Sequence, residues 1–278
     1  MVFWWLLQKG GLITMKLYGV FIGINKYSDS RISNLSYAEN DARSFYRLFK
    51  NTFSCDDVEL HLLLNEQATK RKILSLLVEH VPKAVKSDDM VVIYYSGHGS
   101  PELDQSKSII ARYLICSDTY YDSLFTTGIN IDNDINEISD RLNCNKVVFI
   151  FDTCFSGRAG GKTFEGAFLR DCRRGFRSCQ KSFSDLTLGE GRVILSACKD
   201  DEVAYEDSLL MHGVFTYSIL KVLTNRKFGE EIIGIGTFYD MVLKGVQQYG
   251  RHVQHPIMYG KLSNGGFPLL IESEDIPL

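Results

Sequence analysis

One twelve-residue stretch limits the possible folds more than any other: Lys146-Val147-Val148-Phe149-Ile150-Phe151-Asp152-Thr153-Cys154-Phe155-Ser156-Gly157. Its centre, Val147 to Phe151, is a continuous apolar run of strand length. Such a run predicts a strand buried on both faces, as strands of parallel sheets are. The run stops at an acid, then a cysteine, then a glycine. A second stretch has the same shape, with Met90-Val91-Val92-Ile93-Tyr94-Tyr95 leading into Ser96-Gly97-His98-Gly99. Ligands of open parallel sheets sit at the carboxyl ends of strands. Two strands of this kind, one tipped with an imidazole and one with a thiol, predict a shared functional crevice.

The rest of the chain keeps that rhythm. Strand patterns fall at 17–24, 58–64, 91–95, 113–116 and 192–197, the fourth ending at Asp118. Helical spacing of apolar residues falls at 37–50, 69–86, 131–142, 213–223 and 237–249. Asn40 and Asp41 sit in the first turns of the first helix, where an acid suits the helix dipole. Thr69 is placed to cap the second helix, and Pro82 to end or kink it. A polar loop is expected from Gly99 to about Ser108, and edge strands with turns over 256–270. Strands and helices alternate through the first two-thirds, so the fold class is α/β with a mainly parallel central sheet. Residues 158–190 break the pattern with glycines and basic residues, among them Lys162, Arg170, Arg173, Arg174, Arg177 and Lys181. A loop this long within a domain is usually functional or mobile.

Composition narrows the function classes. With 45% hydrophobic and 23% charged residues the chain has an ordinary globular make-up. A net charge of -3 argues against a nucleic-acid partner. Seven cysteines occur without a CxxC pair, so neither a disulfide framework nor a metal site is expected. A reducing, cytoplasmic setting follows. The apolar Val2-Phe3-Trp4-Trp5-Leu6-Leu7 is far too short to span a bilayer and lacks the basic flank of a signal peptide. Met15-Lys16-Leu17 reads as a natural start, which makes residues 1–14 an extension; a weak interfacial anchor is the other reading.

A thiol is a weak nucleophile until deprotonated, and a neighbouring histidine can take that proton. Glycines on both sides of His98 permit close approach of a substrate backbone. Backbone N–H groups at Gly99 and Cys154 could stabilise the oxyanion of an acyl intermediate. The competing reading is a buried structural cysteine and a satisfied core histidine. Either residue alone would favour that reading; the pair with these flanks favours catalysis.

Ser96-Gly97-His98-Gly99 and Asp152-Thr153-Cys154-Phe155-Ser156-Gly157 resemble the histidine and cysteine motifs of the caspase-like cysteine peptidases, and most of all the metacaspase branch. Asp152 stands where caspases carry glutamine, as in metacaspases. Phe155 departs from the histidine that usually follows the metacaspase cysteine. The resemblance spans roughly residues 16–262 and takes in Tyr18 to Tyr27, Asn40-Asp41-Ala42, Asp118, Ile131 to Ile135, Ser196 to Glu202 and Gly213 to Tyr217.

The resemblance implies a caspase-like α/β/α sandwich with a larger part over 15–157, a basic processing linker over 158–190 and a smaller part over 191–278. It implies a cysteine endopeptidase with catalytic residues His98, Cys154 and Gly99. Asp41, Ser96 and Asp152 match positions that line the first specificity pocket. Two carboxylates in one pocket select a cation, so cleavage after Arg or Lys is expected. Arg170, Arg173, Arg174 and Arg177 then become candidate autoprocessing sites. Many metacaspases bind calcium through acid clusters; here Asp118, Asp132 and Asp134 make a poor set, so no cofactor and no calcium requirement are expected. Expected partners are a protein or peptide substrate with Arg or Lys before the cut and a regulatory protein, without nucleic acid or a membrane span. The alternatives are a gingipain- or separase-type peptidase with a different pocket, and a non-catalytic interaction module on the same scaffold.

Overall fold

The apolar runs lie side by side in one six-stranded sheet, ordered β11-β8-β7-β3-β1-β2. The strands are β1 (Leu17–Gly23), β2 (Val58–Leu64), β3 (Met90–Ser96), β7 (Val147–Asp152), β8 (Arg192–Ser196) and β11 (Ile257–Lys261). The first five run parallel, and β11 closes the edge antiparallel to β8. Every residue of β1, β3 and β7 is buried, as continuous apolar runs require. The computed structural model describes residues 15–53, 57–103, 109–156, 162, 188, 191–199, 202–224, 234–250 and 253–261. The expectations for residues 1–14 fall outside these, as do those for the basic loop apart from Lys162 and Leu188.

Alternate residues of each strand feed two cores. One face carries Leu17, Phe21, Val92 and Tyr94 and packs under α1 (Ala38–Thr52), α6 (Val214–Thr224) and α7 (Ile235–Tyr249). The other carries Tyr18, Val20, Ile22 and Phe149 and packs under α2 (Lys70–Leu74), α3 (Val81–Ala84) and α5 (Ile131–Arg141). Phe45 of α1 lies 4.3 Å, centroid to centroid, from the Tyr94 ring and 6.2 Å from Phe21. Its truncation to Ala would remove about 3–5 kcal/mol. Helix α1 begins with Glu39 and Asp41 and ends with Lys50, the polarity its dipole favours. Helix α2 starts as expected, with Thr69 Oγ1 accepting the Lys72 N–H at 3.3 Å.

Three elements differ from the sequence expectation. Residues 69–86 do not form one α-helix: a π-helical turn, Ser75–His80, separates α2 from α3. Pro82 sits in the first turn of α3, where its missing N–H is least disruptive. The expected loop after Gly99 is partly a strand, β4 (Gly99–Leu103), paired antiparallel with β5 (Ile109–Leu114). Its polar sequence and Pro101 concealed it; proline is tolerated because β4 is the edge of a separate sheet ordered β4-β5-β6. Strand β5 accordingly begins and ends earlier than expected, before β6 (Ile129–Asn130). A short helix α4 (Leu124–Thr127) and a two-stranded ribbon of β9 (Glu206–Asp207) and β10 (His212–Gly213) complete the described elements. Among the described residues no helix is long and apolar enough to cross a membrane.

Candidate active site

Parallel pairing sets the site. Ser96, the last residue of β3, is registered against Asp152, the last of β7, and against Gly23 of β1. His98 and Cys154 each follow two residues later, so they emerge from neighbouring strands at one end of the sheet. Gly99 packs directly on the Cys154 backbone: a Cβ there would stand 2.4 Å from the Cys154 carbonyl oxygen. Glycine is needed at this position because nothing larger lets the two turns approach.

His98 is buried, and its Nε2 lies 2.8 Å from the Ser33 carbonyl oxygen. A carbonyl can only accept, so Nε2 carries the proton and Nδ1 is the basic nitrogen. Nδ1 is buried and has no hydrogen-bond partner. Tyr27 fixes the residue twice, its hydroxyl accepting the His98 N–H at 2.9 Å and its ring lying 5.2 Å from the imidazole. Burial lowers the His98 pKa to about 4, partly offset by the Ser33 and Lys162 carbonyls.

Cys154 is also buried. Burial alone would raise its pKa, but donors oppose it. The Cys198 thiol is the strongest of these, and Ser156 adds its hydroxyl at 2.9 Å and its N–H at 3.3 Å. Together they bring the Cys154 thiol down to about 7. In the state described the Cys154 Sγ also lies 2.8 Å from the Glu202 carbonyl. His98 and Cys154 do not hydrogen-bond to each other. They converge instead on a third residue.

That residue is Lys162. Its carbonyl oxygen accepts the Gly99 N–H at 3.2 Å and the Cys154 N–H at 3.4 Å, while its own N–H donates to the Ala204 carbonyl at 2.9 Å. Its ammonium lies 2.9 Å from an Asp41 oxygen, 2.9 Å from an Asp152 oxygen and 2.7 Å from Ser96 Oγ. The side chains of Lys162, Asp41 and Asp152 are all 0% exposed. Burial works against the charge on Lys162, but Asp152 and Asp41 outweigh it and hold the pKa above the ordinary lysine value. Burial raises Asp152, with the nearby Asp41 charge adding to it; Asp41 is held low by Lys162 and His212 despite its burial. All six site residues expected from the sequence therefore surround one internal lysine.

Several residues of this pocket were not singled out from the sequence. His212 Nδ1 meets Asp41 at 2.8 Å, and the Gly213 N–H donates to the same carboxylate at 3.1 Å. Thr216 donates its hydroxyl to Asp152 and lies 2.6 Å from the Tyr94 hydroxyl. A Cβ on Gly213 would fall 2.2 Å from an Asp152 oxygen and 2.7 Å from the Lys162 nitrogen, so glycine gives the pocket its depth. The only signal for Gly213 and Thr216 was the Gly213 to Tyr217 resemblance, which begins one residue after His212. Nothing in the sequence marked Lys162 apart from the other basic residues of its loop. Arg170, Arg173, Arg174 and Arg177 lie outside the described residues.

The acids weighed as calcium ligands have structural partners. Asp118 accepts the Lys70 N–H at 2.9 Å, Asp132 pairs with Arg112 at 2.7 Å, and Asp134 accepts the Asn130 N–H at 2.8 Å. Phe155, the departure from the metacaspase motif, is buried in the α2–α5 core. There it contributes apolar packing that a histidine would not.

A parallel α/β sheet with this polar crevice at its carboxyl end fits the outcome of comparison with known proteins. Residues 17–264 match the family described as Caspase domain, and the chain belongs to that peptidase family. A paracaspase of Dictyostelium discoideum is 28% identical over 226 residues, covering 81% of this chain and 48% of the relative. The chain thus spans about half the length of that curated relative. A crystal structure of a Geobacter sulfurreducens protein superposes with a TM-score of 0.65 at 16% identity, covering 90% of this chain and 94% of the other. That likeness concerns the fold alone.

Proposed function

We propose that this chain is a metacaspase-like cysteine endopeptidase that uses His98 and Cys154 to cleave after Lys or Arg. The single observation that carries this reading is Lys162, which lies in the site as the residue before a scissile bond would. Its cation is between two carboxylates and its carbonyl is on two backbone donors. Lysine satisfies one oxygen of Asp152, whereas Oδ1 is buried without a partner. An arginine could use both oxygens, so the pocket suits either cation.

In the reaction, His98 Nδ1 takes the Cys154 proton and the sulfur attacks the carbonyl carbon. The Gly99 and Cys154 N–H groups hold the oxyanion. The His98 imidazolium gives its proton to the leaving amine as the carbon–nitrogen bond breaks, leaving a thioester. Water, deprotonated by His98, then releases the carboxylate product and the free thiol. The bond between Lys162 and Thr163 is the first substrate in this reading, and its cleavage frees the pocket for other proteins. This moves self-processing from the loop arginines to Lys162.

The proposal includes activity without calcium, because the acids considered for that role are engaged elsewhere. It includes a reducing, cytoplasmic setting, consistent with the free thiols of Cys116, Cys144, Cys154 and Cys198. A regulatory protein partner would act on the uncut chain. A positional-scanning peptide library, run with calcium and with a chelator, tests activity, pocket preference and metal need together. Preference for an acidic residue before the cut would overturn the pocket reading. Fragment masses of the purified chain test the cut: fragments ending at Lys162 are expected, and none from Lys162→Gln. Fragments ending only at the loop arginines would overturn Lys162 while leaving the dyad standing.

A further inference from the structure

At the opposite end of the sheet, on its β2 edge, lies a second cluster, away from the candidate active site. Glu59 and His61 stand two residues apart on β2, so their side chains share one face. His80 ends the π-helical turn that packs over that face. His61 Nε2 lies 3.0 Å and His80 Nε2 3.2 Å from the same Glu59 oxygen, Oε1. One donor atom from each of the three residues lies within 4.8 Å of the other two. The imidazole rings stand at 86° with centroids 5.3 Å apart, so two nitrogens converge from different directions on one oxygen.

We propose that Glu59, His61 and His80 form a binding site for a zinc-class divalent cation. Tetrahedral zinc with bonds of 2.0–2.1 Å places its ligand atoms about 3.3 Å apart. The two separations, 3.0 and 3.2 Å, are close to that edge. Two imidazoles and a carboxylate suit Zn²⁺ and its first-row neighbours, not Ca²⁺ or Mg²⁺, which take oxygen ligands. Lys16 engages the other carboxylate oxygen, Oε2, at 3.4 Å and leaves Oε1 facing the histidines. A groove of about 470 Å³ lined by His61, His80, Lys72 and Ser75 adjoins the cluster and gives room for a fourth ligand. Two ligands are held on a strand paired along its whole length with β1, and the third on a helical turn of the π type that recurs at functional sites.

The bound ion would tie the edge strand to the helix covering it. Glu59 is level with Tyr18 and Val91, five residues upstream of Ser96 on β3. That is roughly 16 Å along the strands from the catalytic end, so the effect falls on stability rather than on cleavage.

The test uses the full chain carrying Cys154→Ala, which removes both self-cleavage and the catalytic thiol as a competing ligand. Zinc titration should give one site per chain, and Tm should rise by roughly 5 °C at a hundredfold excess over Kd. Cobalt(II) should bind with a visible spectrum lacking thiolate charge transfer. Adding His80→Ala or Glu59→Gln should abolish both the binding and the rise in Tm. His80 is largely exposed, so its variant keeps the fold. No binding, binding undiminished in these variants, or a thiolate-type cobalt spectrum would each overturn the proposal. Because the protein tested is catalytically dead, none of these outcomes depends on the peptidase reading.

Discussion

Two regions of this molecule contain the same ingredients in different surroundings. At the ends of β3 and β7 a buried thiol, Cys154, lies beside buried ion pairs, Lys162 with Asp41 and Asp152. Beyond the end of β5 lies a buried thiol, Cys116, and from β5 itself the buried Arg112 pairs with the partly buried Asp132. Burial is equal, yet the thiols diverge. Cys154 is lowered to about 7 by thiol, hydroxyl and amide donors, while burial and then the Asp118 charge push Cys116 far above the ordinary thiol value. Burial alone makes a cysteine inert, whereas donors aimed at the sulfur favour the thiolate, the form the proposed reaction needs. The ion pairs diverge as well. Arg112 and Asp132 are both fixed by regular elements, β5 and α5. Lys162 lies outside the regular elements, and under the proposed cut it would end a chain and could withdraw from its acids.

The largest effect should separate the thiols. Cys154→Ala should lower peptide cleavage by about a thousandfold or more. Cys116→Ala should leave kcat/KM unchanged, measured on the same Lys and Arg peptides. Equal losses would mean that the difference between the two sulfurs has no catalytic meaning.

Next comes His98, whose pKa falls from 6.5 unfolded to about 4 folded. A depressed folded pKa contributes stability that is fully present above pH 6.5 and disappears as pH falls through 4. The expected contribution is roughly 3 kcal/mol. Urea unfolding of Cys154→Ala between pH 7 and pH 4 should therefore show a steeper loss than the same protein carrying His98→Gln. Parallel curves would mean that the imidazole is not desolvated as described.

The ion pairs should give crossed outcomes. Asp152→Asn should reduce kcat/KM for Lys and Arg peptides by about a hundredfold, the cost of weakening one partner of a buried charge pair. Asp132→Asn should instead lower stability by about 3 kcal/mol in a urea melt and leave the peptide preference intact. If Asp132→Asn shifts specificity, the division between a pocket and a structural pair fails.

Much of this contrast could be read in the chain beforehand, for identifiable reasons. Val147–Phe151 and Met90–Tyr95 announced buried parallel strands because no polar residue interrupts them. Register then did the rest, since strands that end level bring Ser96, His98, Asp152 and Cys154 to one place. What stayed hidden depends on contacts distant in sequence. The donors around Cys154 come from Ser156 and Cys198, and the deep pocket wall comes from Gly213, whose role shows only where a Cβ would collide. Strand β4 was concealed by its polar sequence and by Pro101, a residue that an edge strand tolerates. Lys162 looked like any other basic loop residue, because docking in a pocket leaves no periodic trace.

The smallest effect tests the claim that donors create the nucleophile. Ser156 contributes two of them, hydroxyl and N–H, at 2.9 and 3.3 Å from the sulfur. Ser156→Ala removes the first and keeps the second. Losing one of several donors should raise the Cys154 pKa by about one unit, equivalent to about 1.4 kcal/mol. At pH 7 the thiolate fraction, and with it labelling by an arginyl electrophile, should fall by several fold and recover as pH rises. The recovery is the discriminating part. A Ser156→Ala protein that labels slowly at every pH has lost geometry rather than acidity. The gap between Cys154 and Cys116 would then rest on shape, not on hydrogen bonding.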